Sequence, residues 1–146
     1  MAKGRKKYTT AASDASSQEY LVFVSHATAD KWIAKIICER LEQAGVATFR
    51  DDRDIDGGDD IPETIKRGIT KCRELVVLLS PRSVHRPWVL LEVGAAWGRG
   101  KKVIAIRHHV EVDLIPEMIK SKKAIDLNDI EDYITEVSKR ASRRVR

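Results

Sequence analysis

The stretch "ELVVLLSPRSVHRPWVLLEVGAAWGRGKKVIAI", residues 74–106, decides the fold. It opens with the strongest strand signal in the chain, the apolar run from Glu74 to Ser80. A helix opened by Pro87 and closed by one of two glycines follows, and the run Lys102–Ile106 is the next strand. A strand, a helix and another apolar strand in this order predict two parallel strands that are buried on both faces.

The same alternation continues on both sides of this unit. Strands are predicted at Glu19–Ser25, at Val46–Arg50 and, shorter, in the "KAIDL" segment at 123–127. The remaining helices are predicted from a cap at Thr28 or Asp30 to a stop at Gly45, from Pro62 with an inward face of Ile61, Ile65, Ile69 and Cys72, near Pro116–Lys120, and from a cap at Asn128 with Ile130, Ile134 and Val137 inward. The predicted fold class is therefore α/β, a flavodoxin-like five-stranded parallel sheet of order 2-1-3-4-5 with helices on both faces.

This strand order predicts the position of a ligand site. In such a sheet the ligand crevice lies beyond the carboxyl ends of the strands, between the first and the third. Its walls are predicted to be "SHATAD", residues 25–30, and "SPRSVHRPWVLLE", residues 80–92.

Length and composition limit the classes of protein. The 146 residues correspond to one domain, and no apolar run approaches the roughly 18 residues of a membrane span. The basic start lacks an apolar segment typical of a secretory signal, so a cytoplasmic location is expected. Cys38 and Cys72 lack metal or redox spacing and are expected to be buried, reduced thiols.

The net charge of +5 comes from the two ends of the chain. Four basic residues within 3–7 and five within 139–146 leave the remaining body with a net charge of −4. This pattern predicts a domain at 19–138, a disordered basic and Ser-rich tail at 1–18 and a basic C-terminal tail at 139–146. Nucleic-acid binding is not expected, because the body has no excess of basic residues to form a phosphate-binding groove.

The segment Asp52–Glu63 matches a calcium-loop pattern, but its context does not. Such a loop lies between two helices, whereas a predicted strand enters this one, and the chain has no second loop. The interpretation that remains is an exposed loop, Asp51–Ile61, whose repelling aspartates suit it to meet a basic surface.

Glu92 is the only ionisable residue in the apolar helix from Trp88 to Trp97. Trp88 lies four residues earlier, on the same helical face, and the pair faces the predicted crevice. A carboxylate beside an indole in a partly desolvated pocket is expected to have a raised pKa and a strong effect on a bound cation. The alternative is that Glu92 points from a narrow wet stripe of a buried helix and has no function.

Three separated motifs of the chain, in order, are similar to those of the Toll/interleukin-1 receptor (TIR) domain family. They are "EYLVFVSHA" at 19–27, "TFRDDRDIDGGDDI" at 48–61 and "LLSPRSVHRPWVLLEVGAAW" at 78–97. The resemblance runs from about Glu19 to about Lys139, and His26 stands where many relatives carry tyrosine. Enzymatic members carry a W-x-x-x-E arrangement required for cleaving NAD+, matched here by Trp88 and Glu92.

The resemblance implies that Glu92 is the catalytic residue, and Ser83 matches a family serine in the loop before the helix. The predicted substrate contacts are Trp88, Ser25, His26 and Ser83 in the walls of the crevice and Arg50, after the second predicted strand, which is predicted to meet a phosphate. Each contact has a structural alternative: a core role for Trp88, turn or capping roles for Ser25 and His26, local backbone bonding for Ser83 and pairing with aspartates for Arg50. Trp97 is expected in the core.

The favoured function is an NAD+ glycohydrolase or cyclase, acting in signalling or anti-phage defence and feeding a separate effector. NAD+ is then a substrate, and no cofactor or metal is expected. Cleavage needs one carboxylate, because nicotinamide in NAD+ is already a cationic leaving group. The alternatives are a non-catalytic module that binds other TIR proteins and a nucleoside deoxyribosyltransferase-like enzyme. Enzymatic relatives also imply self-association, here through the Asp51–Ile61 loop.

A metal site at His108 and His109 is not expected, since adjacent side chains diverge on a strand or a helix.

Overall fold

The structure, a computed structural model, describes residues 19–50, 63–115 and 124–145. Five parallel strands form one sheet in the order β2-β1-β3-β4-β5, as the sequence predicts. The strands are β1 (Leu21–Ser25), β2 (Ala47–Phe49), β3 (Glu74–Leu79), β4 (Lys102–Arg107) and β5 (Ile125–Asp126). The fifth strand is shorter than the predicted segment.

Helices cover both faces of the sheet. They are α1 (Lys31–Gln43), α2 (Glu63–Lys71), α3 (Pro87–Gly98) and α4 (Ile130–Val145), with single 3₁₀ turns at Thr28–Asp30, Val112–Leu114 and Leu127–Asp129. The predicted helix near 116–120, the tail at 1–18 and the whole Asp51–Ile61 loop lie outside the described residues. No helix in the described part of the chain is both long enough and apolar enough to cross a membrane.

Strand residues alternate between two apolar cores. Phe23, Leu75 and Val77 pack with α2 and α3, whereas Val24 and Val76 pack with α1 and α4. Cys38 and Cys72 are both free and buried, as expected. Every residue of β1 and β3 is buried. Solvent and polar ligands can therefore approach these central strands only at their amino and carboxyl ends.

The end of α1 fixes the entry of β2. Gly45 has a φ of +87°, a conformation that glycine adopts at little cost, and its N–H donates to Glu42 O at 3.0 Å. Val46 N then donates to Leu41 O at 3.0 Å. The helix stop predicted at Gly45 is therefore confirmed.

A buried carboxylate joins α4 to the beginning of the sheet. Glu74, the first residue of β3, has no exposed side-chain surface and accepts two hydrogen bonds from Arg140, at 2.6 and 2.9 Å. Tyr133 Oη donates to it at 2.9 Å, and Tyr20 Oη donates to it as well. This cluster lies at the amino-terminal edge of the sheet, opposite the predicted crevice.

The cluster shifts the pKa of its members. Burial raises the pKa of Glu74, but hydrogen bonds from Arg140 and Tyr20 and the charge of Arg140 outweigh burial, so the pKa is lowered overall. Burial and the Glu74 carboxylate raise the pKa of Tyr20 to about 12 and that of Tyr133 well above its usual range. Glu74 is thus held ionised while both phenols are held neutral.

The structure corrects two predictions at the C-terminal end. Helix α4 continues to Val145 and uses Arg140 in the core, so residues 139–145 are not the solvated tail that the charge pattern indicated. The cap of the preceding 3₁₀ turn is Asp126, whose carboxylate accepts from Asn128 N at 2.9 Å, and not Asn128. Composition assigns Arg140 to a solvated tail, and the strand pattern assigns Asp126 to the fifth strand.

Two predictions about aromatic rings are also wrong. Trp97 is 62% exposed and not in the core. The rings of His108 and His109 do not diverge, since their centroids lie 4.1 Å apart. The chain has left β4 at this point, and the positive φ of His109, +57°, turns the second ring back towards the first.

Candidate active site

The carboxyl ends of β1 and β3 lie side by side, where the strand order predicts the crevice. Ser25 ends β1 and pairs in register with Val77, two residues before the end of β3. Leu21 and Phe23 belong to the core shared with α2 and α3. Ser25 continues this alternation, so its side chain is directed towards α3.

Glu92 lies on α3 and meets Ser25 across this edge. The Ser25 hydroxyl donates to Glu92 Oε1 with an oxygen–oxygen distance of 2.5 Å. The two residues are 67 positions apart in the chain, and both are buried, with Glu92 only 3% exposed. Burying a carboxylate is costly unless polar groups contact it. The structure therefore places Glu92 at the carboxyl ends of β1 and β3 and gives it a hydrogen-bond donor from the end of β1.

The burial of Glu92 has a consequence for binding. Because Glu92 is only 3% exposed, its carboxylate is not open to a substrate-sized ligand in this arrangement. A substrate reaches the carboxylate only if neighbouring atoms move or if the ligand replaces a group that now contacts it.

Trp88 and His26 lie close to this pair along the chain. Trp88 is in the first turn of α3, one turn before Glu92, and its half-buried indole packs against the core of α2 and α3. His26 directly follows Ser25 and is buried. Both positions fit the predicted crevice, and their contacts with substrate stay predictions.

Ser83 is fully buried and bonds within its own loop. Its hydroxyl donates to Leu78 O at 2.8 Å and accepts from Ser80 N at 2.9 Å. This arrangement matches the structural alternative for Ser83, local bonding to the backbone of the turn between β3 and α3. Its contact with substrate stays a prediction.

Arg50 follows β2 and is buried near α1. Burial raises the pKa of the Cys38 thiol, and hydrogen bonds from Thr48 and Arg50 and the charge of Arg50 oppose that rise. The charge of Arg50 thus acts on Cys38, a buried residue of α1. Its predicted contact with a phosphate is not shown by this geometry and stays a prediction.

Two buried polar residues at this edge were not among the predicted site residues. Asp30, at the start of α1, is 8% exposed, and Ser80, directly after β3, is buried beside it. The sequence carried a signal for both, because each is a polar residue that closely follows an apolar strand. Nothing in the sequence indicated that they pair.

Within residues 19–50, 63–115 and 124–145, no group of three or more His, Cys, Asp or Glu side chains is placed to hold a metal ion.

The family follows from a direct comparison. A family model described as the TIR domain matches residues 22–139. The chain belongs to the TIR domain family. The match covers every described strand and helix from β1 to most of α4, including the Ser25–Glu92 pair.

Two TIR relatives carry names that state an activity. A protein of Brachypodium distachyon named probable 2′ cyclic ADP-D-ribose synthase BdTIR is 26% identical over 118 residues, which are 78% of this chain and 53% of that protein. The NAD(+) hydrolase TcpA of a Theionarchaea archaeon is 32% identical over 93 residues, 61% of this chain and 28% of TcpA. This chain therefore spans about a quarter to a half of the length of these relatives.

A solved TIR structure shares the fold. The TIR domain of the Toll-related receptor TRR-2 from Hydra magnipapillata superposes with a TM-score of 0.59 at 23% identity, covering 84% of this chain and 94% of that one. At this identity the likeness shows the TIR fold alone.

Proposed function

We propose that this TIR domain cleaves NAD+ at the bond between nicotinamide and ribose. The observation that carries the proposal is the buried Glu92 carboxylate at the carboxyl ends of β1 and β3, held by the Ser25 hydroxyl at 2.5 Å. The names of the two relatives support the same substrate, since one is called an NAD+ hydrolase and the other a cyclic ADP-ribose synthase.

The chemistry suits a site with one such carboxylate. Nicotinamide leaves NAD+ as a neutral molecule, so no acid has to protonate it. As the bond breaks, positive charge develops at the ribose C1′, and a nearby carboxylate stabilises that charge. Glu92 would also accept hydrogen bonds from the ribose hydroxyls and so fix the sugar.

The balance of the reaction allows two products. Attack of water at C1′ gives ADP-ribose, nicotinamide and one proton. Attack of a hydroxyl of the same molecule gives a cyclic ADP-ribose isomer, nicotinamide and one proton.

The test is purified protein incubated with NAD+, with the products separated by mass spectrometry. Glu92→Gln keeps the shape of the side chain and removes its charge, so turnover is expected to fall about a hundredfold or more. Glu111→Gln is the control, since Glu111 is an exposed carboxylate that follows β4. Equal turnover in Glu92→Gln and wild type would rule out this role for Glu92.

A non-catalytic interaction module is the second candidate. The observation that favours it is the exposure of large apolar side chains on two helices, with Trp32 70% exposed on α1 and Trp97 62% exposed on α3. Exposed aromatic groups of this size are typical of protein contacts. Absence of turnover in concentrated or crowded wild-type protein, together with self-association, would favour this candidate over the enzyme.

A further inference from the structure

A second hydroxyl–carboxylate pair links the loops that follow β1 and β3. Ser80 Oγ donates to Asp30 Oδ2 at 2.5 Å, and both residues are buried. Leu78, two residues before Ser80, packs in the core of α1 and α4, whereas the Ser25–Glu92 pair lies on the side of α3. The two pairs therefore join the chain at the carboxyl ends of β1 and β3, one on each face of the sheet.

Helix capping does not account for Asp30. Aspartate at this position is expected to accept a backbone N–H of the first turn of α1. The Asp30 side chain makes no such capping bond, and only its backbone N–H closes the local turn, by donating to Ala27 O at 2.8 Å. The buried Asp30 carboxylate does not cap α1 and instead accepts a hydrogen bond from the Ser80 hydroxyl.

Hydrogen bonds of the intervening turn connect Ser80 to the start of α3. Its carbonyl accepts from the N–H groups of Ser83 and Val84 at 3.1 and 3.2 Å, and its hydroxyl accepts from Arg82 N at 3.1 Å. Arg86 N donates to Ser83 O at 3.0 Å, and α3 begins at the next residue. The turn is therefore a continuous hydrogen-bonded unit from Ser80 to the helix that carries Glu92.

We propose that Asp30 and Ser80 are positioning residues for the reaction proposed above. The Ser25–Glu92 bond alone lets α3 rotate about it relative to β1, whereas a second bond on the opposite face of the sheet, between the loops that follow β1 and β3, also fixes the direction of α3. The Asp30–Ser80 bond thereby holds the Ser25 hydroxyl in line with Glu92, without itself contacting substrate. This inference rests on the proposed function, because its value for catalysis depends on the role of Glu92.

The first measurement is steady-state NAD+ turnover by Asp30→Ala, Ser80→Ala, the double variant and Asp30→Asn. Each alanine variant is expected to lower kcat about tenfold while KM changes little, since a misaligned group loses transition-state stabilisation rather than binding. The double variant is expected to match the worse single variant, because Asp30→Ala and Ser80→Ala both break the Asp30–Ser80 bond. Asp30→Asn keeps an acceptor oxygen and is expected to retain most of the activity.

The second measurement does not depend on turnover. Amide hydrogen exchange is expected to rise about tenfold in residues 26–30 of Ser80→Ala and in residues 82–86 of Asp30→Ala, as each loop loses its support from the other. Glu136→Ala, an exposed carboxylate of α4, serves as the control and is expected to match wild type in both measurements. Ser80→Ala removes a single oxygen atom, so it is informative even if Asp30→Ala fails to fold.

The outcomes separate this proposal from the proposed function. Unchanged exchange in the opposite loop of a folded Ser80→Ala variant overturns the positioning role, whatever the turnover. The positioning role is also overturned if amide exchange rises in the opposite loop of each variant while kcat of Ser80→Ala stays at the wild-type value. If wild-type protein cleaves no NAD+, the proposed function fails, and reciprocal exchange would then support only the link between the loops.

Discussion

At the scale of single residues, a short hydrogen bond connects two parts of the sequence that share no local pattern. Ser25 and Glu92 could each be predicted at the crevice, because one ends an apolar strand and the other is the only charge in an apolar helix. Their direct contact could not be predicted, since it depends on the rotation of α3 about its axis. The same limit explains Trp97, because an apolar helix without a polar stripe does not indicate which side faces water.

Removing the Ser25 hydroxyl tests this contact. Ser25→Ala leaves Glu92 buried with one donor fewer, so kcat for NAD+ is expected to fall about tenfold with a smaller change in KM. Ser142→Ala, at an exposed serine of α4, is the control for steady-state kinetics. Kinetics of Ser25→Ala that match the control would show that Glu92 is positioned without Ser25.

At the scale of elements, the sequence predicted both ends of every strand to within two residues. It did not predict the hydrogen bonds and ion pair that hold α4 against β3. Glu74 begins an apolar run, and Tyr133 and Arg140 lie seven residues apart on one helical face. A charged residue at the start of a buried strand was the available signal. The sequence did not indicate that Arg140 pairs with Glu74, because Arg140 lies in a basic run that resembles a solvated tail.

Loss of Arg140 is expected to destabilise the fold. Arg140→Met keeps much of the side-chain volume but leaves the Glu74 carboxylate buried without its counter-ion, which costs about 3 kcal/mol of unfolding free energy. Arg143→Met, at an exposed arginine of the same helix, is expected to stay within about 0.5 kcal/mol of wild type. Urea unfolding measures both, and equal midpoints would mean that the pair adds nothing.

A matched pair of glycines tests the packing of α2. A Cβ atom on Gly68 would lie 3.1 Å from Phe23 and 3.2 Å from Phe49, two rings that also pack on each other. Gly68→Ala is therefore expected to lower the unfolding free energy by about 1–2 kcal/mol despite the better helix propensity of alanine. Gly98→Ala meets nothing within 4 Å and is expected to gain up to about 1 kcal/mol. Thermal unfolding that ranks the two variants in the opposite order would contradict this packing.

At the scale of the whole molecule, polar chemistry is divided between the two edges of one sheet. The carboxyl edge holds Ser25, Glu92, Asp30 and Ser80, and the amino edge holds the Glu74 cluster. The fold class and strand order followed from the alternation of apolar runs, because burial on both faces leaves few arrangements for such strands. The sequence did not predict which polar residues meet at which end of the strands, since both ends carry similar residue types.

The Glu74 cluster sets an acid limit on stability. The pKa of Glu74 is lowered in the folded protein from a usual value of 4.5, so the unfolded chain binds a proton more readily. Its contribution is then fully present above about pH 5 and is lost as the pH falls through the folded-state pKa. Unfolding free energies measured from about pH 6 to pH 3 are expected to decline less steeply in Glu74→Gln than in wild type. Parallel curves would assign the acid sensitivity to other carboxylates.

Self-association through the Asp51–Ile61 loop is expected to make activity depend on concentration. If the acidic loop meets a basic surface of a second copy, NAD+ turnover per molecule rises with protein concentration and falls with added salt, which screens exposed charges. Asp54→Asn with Asp56→Asn is expected to weaken both effects, whereas Asp129→Asn, outside the loop, is not. Turnover paired with sedimentation at several concentrations tests this, and a constant specific activity would contradict it.

The Glu74 cluster also bears on how the protein is made. Its four members come from the segment before β1, from β3 and from α4, so the last of them leaves the ribosome only after nearly the whole domain has been translated. Until Arg140 emerges, the growing chain would have to bury an uncompensated carboxylate in order to close its sheet. At a synthesis rate of about 5–20 residues per second, we therefore expect the sheet to close only after α4 has left the ribosome.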